Sequence, residues 1–413
     1  MGEKEWKVSP RLESQKRLGK LINQHYSGAR ELEETRAQPV AWVSTMAPSE
    51  ILWAMDFCVQ YPEAYAATCG ARHVAHSHCE ITEMHGYERH LCTYCRNSLG
   101  STLGVLEGQD IFEPLARPDF LLVTNNTCIL ITKWFEHLSY YWKIPLVSID
   151  CPVLLPGVDE RQIIKHVKDQ CLDLIKVLEG FTGKKFDYDR FKEVAGNAKR
   201  SGDNYREMIN ISKNVPVPAT FFDIMGHNFP NLVLRYKPET AEHYKLMNDE
   251  LKQRITDRIV SMPGIKYRLY WDGIPYWVAI RELSEKLQSL GMCLVISSYF
   301  ELFAFDRNDP FDPLEGVAAN TALSYFSRTV DYKARFTEQM FRDFKLDAGI
   351  FAYTIGCKSG SIGMHYISDY VNKKLGAPMA IIEGDLVDET FYNVERNNMK
   401  LQALAEMLDA KNR

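Results

Sequence analysis

The sequence predicts an α/β fold with two parallel-sheet lobes, a helical N-terminal arm and a helical connection. Continuous apolar runs alternate with helical segments in two separate series, which is typical of parallel sheets covered on both faces. Charged helical patterns fill the start and the middle of the chain. With 413 residues the chain is long enough for two or three domains. The expected divisions are the arm at 1–36, the first lobe at 37–158, the helical connection at 159–262 and the second lobe at 263–413.

The first lobe is predicted from short apolar strands and the helices between them. A strand is expected at 40–43, followed by a helix at 49–57 that has Ser49 as its N-cap. A β–α–β unit follows, with strands at 120–123 and 145–149 and a helix at 129–141 between them.

The second lobe is predicted from four apolar runs at 267–271, 292–296, 348–353 and 379–382. A helix should begin after Cys357 and run to about Leu375. It should end there because Gly376 suits a left-handed C-cap and Pro378 cannot continue a helix.

Composition and charge exclude several classes of function. The net charge of −5 gives no electrostatic support for nucleic-acid binding. No apolar run reaches the roughly 18 residues that a membrane span needs. The N-terminal segment is too polar for a signal peptide. We therefore expect a cytoplasmic protein with no nucleic-acid or membrane partner.

Three of the ten cysteines stand out by position. Cys92, Cys128 and Cys357 each open a predicted helix after a strand or a tight loop, whereas Cys171 and Cys293 lie in apolar patterns typical of core thiols. Cubane iron–sulfur clusters usually bind four thiolates. Three thiolates from distant positions could hold such a cluster with one iron left open for a substrate. Spacing alone also permits the plainer interpretation of small buried residues near loops.

The predicted fold places two of these cysteines where ligands bind. In open α/β sheets, ligands lie beyond the carboxyl ends of the strands. Cys128 and Cys357 both follow such ends, one in each lobe, so a cluster between them would occupy the cleft between the lobes. Helix N-termini also favour thiolates.

Thr45 and Glu63 both follow short strand-like segments of the first lobe. A hydroxyl can donate to a substrate carbonyl, and a carboxylate near a cluster can transfer protons. The alternatives are a local Ser/Thr turn and a surface glutamate.

Three other groups of residues permit more than one interpretation. The Cys92–Cys95 pair suits a redox dithiol or two ligands of a zinc or iron site. The stretch 73–85 holds four histidines and Cys79, which fits a zinc site but more often a polar, partly exposed helix face. The aromatic turn at 271–277 either lines a ligand pocket or covers the end of the sheet.

The chain resembles the subunits of (R)-2-hydroxyacyl-CoA dehydratases, in the superfamily that also contains ATP-dependent benzoyl-CoA reductases. The resemblance runs from about residue 39 to 408. It rests on these motifs: Val40-Ala41-Trp42 with Ser44-Thr45, Tyr61-Pro62-Glu63, Cys92-Thr93-Tyr94-x-Arg96, Asn125-Asn126-x-Cys128 with Lys133-Trp134, Asp272-Gly273-Ile274-Pro275-x-Trp277, Cys357-Lys358 and Glu383-Gly384-Asp385.

The resemblance implies two Rossmann or flavodoxin-like lobes with a [4Fe-4S] cluster in the cleft between them. It assigns the cluster ligands to Cys92, Cys128 and Cys357, and leaves one iron without a cysteine ligand. It also assigns a substrate-binding hydroxyl to Thr45 and an active-site carboxylate to Glu63.

The implied reaction removes water from a 2-hydroxyacyl-CoA to give a 2-enoyl-CoA through a ketyl radical. The implied partners are a homologous second subunit and an ATP-dependent iron–sulfur activator that binds transiently and delivers one electron. Two alternatives stay open, a benzoyl-CoA-type reductase subunit and an electron-relay β-type subunit. Departures from the family pattern concern the substrate: Ala64 stands where asparagine is frequent, Cys95 where alanine is common, and Tyr276 where cysteine is frequent.

Overall fold

The computed structural model describes residues 7–9, 12–307, 309 and 311–411 and shows an α/β protein with parallel sheets. Its strands, within these residues, are β1 Lys7–Val8, β2 Val40–Val43, β3 Cys58–Gln60, β4 Phe120–Thr124, β5 Leu146–Ile149, β6 Ile259–Val260, β7 Tyr267–Asp272, β8 Met292–Ser297, β9 Ala348–Thr354 and β10 Met379–Gly384.

The helices surround the sheets and fill the segment between them. They are α1 Ser14–Thr35, α2 Ser49–Ala54, α3 Pro62–Ala71, α4 Ala75–Met84, α5 Thr93–Leu106, α6 Ile129–Trp142, α7 Glu160–Thr182, α8 Tyr188–Ile211, α9 Phe221–Ile224, α10 Asn228–Val233, α11 Pro238–Asp257, α12 Ile280–Ser289, α13 Ser298–Leu302, α14 Pro313–Ala322, α15 Val330–Asp343, α16 Lys358–Ser361, α17 Met364–Leu375 and α18 Val394–Lys411. Short 3-10 helices occur at Met225–His227, Trp277–Ala279, Tyr325–Ser327 and Glu389–Phe391.

Two four-stranded parallel sheets form the framework. The first has the strand order β3-β2-β4-β5 and the second β10-β9-β7-β8. Strands β2, β4 and β8 are buried at every residue. This burial on both faces explains why they appear in the sequence as unbroken apolar runs. The predicted parallel α/β architecture is confirmed, while the four domain divisions stay a prediction.

A third, two-stranded sheet was not predicted. It pairs β1 with β6 in parallel, so residues 7–8 lie beside the segment that follows α11. The predicted N-terminal arm falls partly outside the described residues. Its described helix α1 packs on α10 and α11, and the Glu250 carboxylate accepts from the backbone N–H groups of Glu13 at 2.7 Å and Ser14 at 3.0 Å, where α1 begins.

Two helix predictions were wrong in detail. Ser49 is the first residue of α2 and not its N-cap, since its hydroxyl donates to Ala47 at 3.2 Å and accepts from Tyr61 at 2.8 Å. The same helix ends at Ala54 instead of residue 57, because the backbone turns into the left-handed region at Asp56.

The helix predicted after Cys357 is two helices, α16 and α17, which are separated at residues 362–363. Its end was predicted correctly, because Gly376 caps α17 with a φ of 62°. Along the described part of the chain, no helix combines the length and the apolar character that crossing a membrane would require.

Candidate active site

A cavity of about 310 Å³ lies at the carboxyl ends of the strands of both sheets. Its wall contains all five residues that the sequence singled out for the site: Thr45, Glu63, Cys92, Cys128 and Cys357. These residues are distant in sequence, and the two parallel sheets bring them together as expected for α/β proteins.

Each of the three cysteines occupies the N-cap position of a helix. Cys92 precedes α5, Cys128 precedes α6 and Cys357 precedes α16. The prediction that each one opens a helix is therefore confirmed. The positive end of the backbone dipoles at these positions favours a negative charge on sulfur.

The three thiols lie close enough to influence one another's ionisation. Burial raises the pKa of Cys92 well above its usual range, and negative charge on Cys357 and Cys128 raises it further. Burial likewise raises the pKa of Cys128 to about 11, while the backbone N–H groups of Ile131 and Leu130 act in the opposite direction. Three thiolates at this site therefore require a positive group among them.

The residues around the cavity fit an iron–sulfur cluster by their chemistry. Thiolates are the donors that cubane clusters use. Two buried polar groups in the wall, the Thr127 hydroxyl and the Trp134 indole N–H, have no hydrogen-bond partner among the residues that the structure describes. Buried groups of this kind usually have a hydrogen-bond partner. Over the same residues, no set of three or more His, Cys, Asp or Glu side chains is arranged to hold a single metal ion.

Thr45 and Glu63 form a hydrogen-bonded pair in the cavity wall. The Thr45 backbone N–H donates to Oε2 of Glu63 at 2.8 Å, and the Thr45 hydroxyl donates to Oε1 at 3.0 Å. Both side chains are buried. The alternative of a surface glutamate at position 63 is therefore wrong.

The register of the first sheet places this pair side by side. Trp42 of β2 lies opposite Gln60 of β3 in the parallel pairing. Thr45 and Glu63 each come three residues after these partners, so both chains leave the sheet at the same level. Pro62 then starts α3 in the first-turn position that proline prefers, which places Glu63 in the first turn of the helix.

Burial raises the pKa of Glu63 from 4.5 to about 7, and the two hydrogen bonds from Thr45 oppose this shift. A carboxyl group with a pKa near neutrality can both accept and donate a proton at physiological pH. This is the property that general acid–base catalysis requires.

The start of α5 is held by hydrogen bonds in which residues of the recognised motifs take part. The Thr93 hydroxyl donates to Asp385, and the Arg96 guanidinium donates to Asp388 at 3.2 Å. The Trp277 indole N–H donates to the Tyr94 hydroxyl at 2.5 Å. These contacts fix the position of Cys92 relative to the segments after β7 and β10.

Gly356 allows two of the cysteine segments to approach each other closely. A Cβ atom at this position would lie 2.9 Å from Cα of Cys92 and 3.0 Å from the Leu91 carbonyl oxygen. Both contacts are with backbone, which cannot move aside easily. Glycine before Cys357 is therefore a packing requirement of the site.

Aromatic residues form much of the remaining wall. Trp134 and Trp277 belong to the motifs noted in the sequence, but Phe229, Tyr299 and Phe303 do not. Sequence reasoning missed these three because they come from helical segments without a recognisable pattern. Of the two interpretations of the aromatic turn, Trp277 supports a ligand pocket, while Trp271 and Tyr276 are buried and do not line the cavity.

The other cysteine and histidine groups lie outside this wall. Cys95 is a residue of α5 that is buried in the core, and it is a free thiol. His78 is buried and bonded to Asn97 at 3.0 Å, and burial lowers its pKa to about 4. His76 lies 3.4 Å from Glu80 and 3.5 Å from Asp388. The histidine stretch thus consists partly of buried packing and partly of contacts with acidic side chains.

Comparison with known proteins places the chain in a family. A family model described as 2-hydroxyglutaryl-CoA dehydratase, D-component, matches residues 44–408. The chain is 28% identical to the (R)-2-hydroxyisocaproyl-CoA dehydratase alpha subunit of Clostridioides difficile, over 98% of each chain. It is also 28% identical to the (R)-phenyllactyl-CoA dehydratase alpha subunit of Clostridium sporogenes, over 91% of each. A benzoyl-CoA reductase subunit of Thauera aromatica is 27% identical over 89% of each. The chain therefore belongs to the 2-hydroxyglutaryl-CoA dehydratase D-component family.

Proposed function

We propose that the chain is the α-type subunit of an (R)-2-hydroxyacyl-CoA dehydratase, which removes water from its substrate to give a 2-enoyl-CoA. In this proposal Cys92, Cys128 and Cys357 hold a [4Fe-4S] cluster whose fourth iron has no cysteine ligand. The partners are a homologous second subunit and a transient ATP-dependent iron–sulfur activator. The family match and the alpha subunits among the relatives support this assignment.

The observation that carries the proposal is the position of the Thr45–Glu63 pair in the same cavity wall as the three cysteines. A relay site needs only thiolates. A site for dehydration also needs a hydrogen-bond donor for a substrate oxygen and a base for the β-proton, and this cavity has both.

The residues of this chain have distinct roles in the proposed reaction. The Thr45 hydroxyl turns from Glu63 to donate to the thioester or hydroxyl oxygen. Glu63, with a pKa of about 7, accepts the proton from the β-carbon and returns it to solvent or to the leaving hydroxide. The buried wall excludes water, which strengthens both interactions. The cluster, when bound, supplies Lewis acidity and a route for one low-potential electron.

A second candidate is a benzoyl-CoA-type reductase subunit. The similarity to the Thauera aromatica reductase favours it, as do the aromatic side chains of the cavity, which suit an aromatic acyl group. This interpretation also keeps the cluster, and the Glu63 carboxyl would then donate a proton to the reduced ring instead of accepting one from a β-carbon.

A turnover assay separates the candidates. The chain would be purified anaerobically with its partner subunit, combined with the activator and ATP, and given either a set of (R)-2-hydroxyacyl-CoA substrates or benzoyl-CoA. The proposal expects a 2-enoyl-CoA and no reduced ring. Ring reduction without dehydration would favour the reductase. Turnover by this chain and the activator without the second subunit would refute the partner requirement.

A further inference from the structure

Resting on this proposed function, we infer that the substrate carries a large, uncharged acyl group that ends in an aromatic ring. The inference starts from Glu63, since its carboxylate has to face the β-carbon. The rest of the acyl group must then occupy the space beside Glu63. The character of that space selects the substrate.

Aromatic side chains occupy the wall beside Glu63. Tyr94 and Tyr299 line the same cavity as Glu63. Trp277 is bonded to Tyr94, and its ring packs edge-on against Tyr299 with centroids 6.1 Å apart. Tyr299 in turn packs edge-on against Phe303 at 4.8 Å. These rings form a continuous surface of the edge-and-face kind that aromatic groups prefer.

Small residues on α3 leave room in front of this surface. Ala64 and Ala67 follow Glu63 along the helix and line the same cavity. The alanine side chain at position 64 is small and offers no polar group beside the Glu63 carboxylate. This favours a bulky apolar acyl group over a small or polar one.

A carboxylate at the end of the acyl group would lack a buried, positively charged partner in this cavity. Of the described side chains in the wall, only that of Arg72 is positively charged, and it is exposed. Burying an unpaired carboxylate against aromatic rings is strongly unfavourable. Glu63 and the three cysteines add negative charge of their own.

Positive charge lies instead in a neighbouring cavity of about 260 Å³, which shares Cys357, Ser359 and Tyr299 with the first. Arg328 there is paired with Glu160, whereas the Lys333 ammonium lies 5.1 Å from the centre of the Tyr325 ring and shares the cavity with the buried Asp272 carboxylate. An acyl group with a terminal carboxylate would therefore bind towards Lys333. We therefore expect an uncharged aromatic acyl group in the first cavity and an acyl group with a terminal carboxylate in the neighbouring cavity.

The first experiment measures binding to the complete enzyme, loaded with its cluster and without activator. Calorimetry would compare 3-phenylpropanoyl-CoA with glutaryl-CoA, neither of which has a hydroxyl to eliminate. The contribution of the shared CoA cancels in the ratio of the two dissociation constants. We expect the phenyl compound to bind about 100-fold more tightly, the scale on which apolar pockets discriminate. Equal or tighter binding of glutaryl-CoA would overturn the inference.

Two substitutions then identify the cavity in use. Ala67→Leu fills the aromatic cavity and should weaken 3-phenylpropanoyl-CoA binding by at least about 10-fold relative to acetyl-CoA, since overfilled pockets reject bulky groups. Ala403→Leu, on the exposed face of α18, is the matched control and should change the binding of neither 3-phenylpropanoyl-CoA nor acetyl-CoA. Lys333→Met should leave the ratio of phenylpropanoyl-CoA to acetyl-CoA binding unchanged. The opposite result would be a weaker preference for 3-phenylpropanoyl-CoA over acetyl-CoA in Lys333→Met and an unchanged preference in Ala67→Leu. That result would place the acyl group in the neighbouring cavity and refute the inference.

Turnover distinguishes this inference from the proposed function. With the activator present, (R)-phenyllactyl-CoA should be dehydrated in preference to (R)-2-hydroxyglutaryl-CoA and (R)-lactoyl-CoA. Preference for either of the latter would refute the aromatic substrate and leave the dehydratase intact. Tight binding of the phenyl compound without dehydration of any 2-hydroxyacyl-CoA would support the cavity assignment and refute the function.

Discussion

At the scale of single residues, the hydroxyl–carboxylate pair depends on its surroundings for its chemistry. Neither Thr45 nor Glu63 has an unusual sequence context, and a threonine or a glutamate alone predicts nothing. The resemblance assigned their roles, and the structure shows them bonded to each other in the wall that contains the cysteines. Burial then gives Glu63 a pKa suited to proton transfer.

Removing either functional group should impair turnover and leave the fold and iron content intact. Glu63→Gln preserves shape but cannot accept a proton, so kcat should fall by about 100-fold or more. Thr45→Val deletes one hydrogen bond of roughly 1–3 kcal/mol and should lower kcat by about 10- to 100-fold. Steady-state kinetics and iron analysis on each variant check this. Near-normal turnover in both variants would indicate a relay subunit.

The raised pKa of Glu63 also has a consequence for stability. Its pKa is about 7 in the folded chain, compared with the ordinary glutamate value of 4.5, so folding favours the protonated carboxyl. That contribution is complete below the unfolded pKa and is lost as pH rises through the folded pKa. The glutamine side chain in Glu63→Gln cannot ionise, so this variant does not lose that stability as pH rises. Its free energy of unfolding, relative to the unmodified chain, should therefore increase between pH 4.5 and 8 by up to about 3 kcal/mol.

Denaturant unfolding of both proteins at pH 5 and pH 8 measures this difference. Any fixed cost of the altered hydrogen bonds to Thr45 affects both pH values equally. A difference that stays constant with pH, or that decreases, would contradict the buried, proton-binding state of Glu63.

The cysteine assignment makes a prediction about iron content. Replacing Cys92, Cys128 or Cys357 by alanine removes one of three protein ligands, and each variant should lose its iron. Cys58→Ala is the control, since Cys58 is a free thiol that does not line the cavity. Iron determination and the visible absorption spectrum report the result. A Cys128→Ala protein with full iron content and brown colour would refute the ligand set.

At the scale of elements, the site depends on where helices begin. Apolar strands and helix starts were predictable, because burial on both faces leaves continuous apolar runs and because each cysteine directly precedes a helix. Local errors arose where tertiary contacts decided the backbone. The Ser49 hydroxyl bonds to Ala47 and Tyr61 instead of capping α2, and no pattern in the sequence predicts these two hydrogen bonds.

The close approach of two cysteine segments can be tested at Gly356. Gly356→Ala places a methyl group against the backbone of Cys92 and should push α5 away from the segment after β9. We expect a folded protein with reduced iron content. Gly19→Ala in α1 has nothing within 4 Å of the new atom and should be neutral or stabilise by up to about 1 kcal/mol. Normal iron content in Gly356→Ala would show that this contact is not essential.

At the scale of the whole molecule, one cavity collects residues that follow strands of both sheets. Thr45 and Cys128 come from the first sheet, while Trp277, Tyr299 and Cys357 come from the second. The rule that ligands bind at the carboxyl ends of parallel strands predicted the meeting of Cys128 and Cys357. It could not predict the contributions of Ile22 from α1 or Phe229 from α10, because those depend on how the helices pack over the sheets.

The central claim is that these residues form one site in which a substrate meets an iron that no cysteine binds. Mössbauer spectroscopy of the ⁵⁷Fe-loaded complex, with and without an acyl-CoA, tests it most directly. The account predicts that one of the four irons in this subunit has a distinct signal and that acyl-CoA shifts that signal alone. Four cysteine-type irons that do not respond to acyl-CoA would contradict it and identify the subunit as an electron relay.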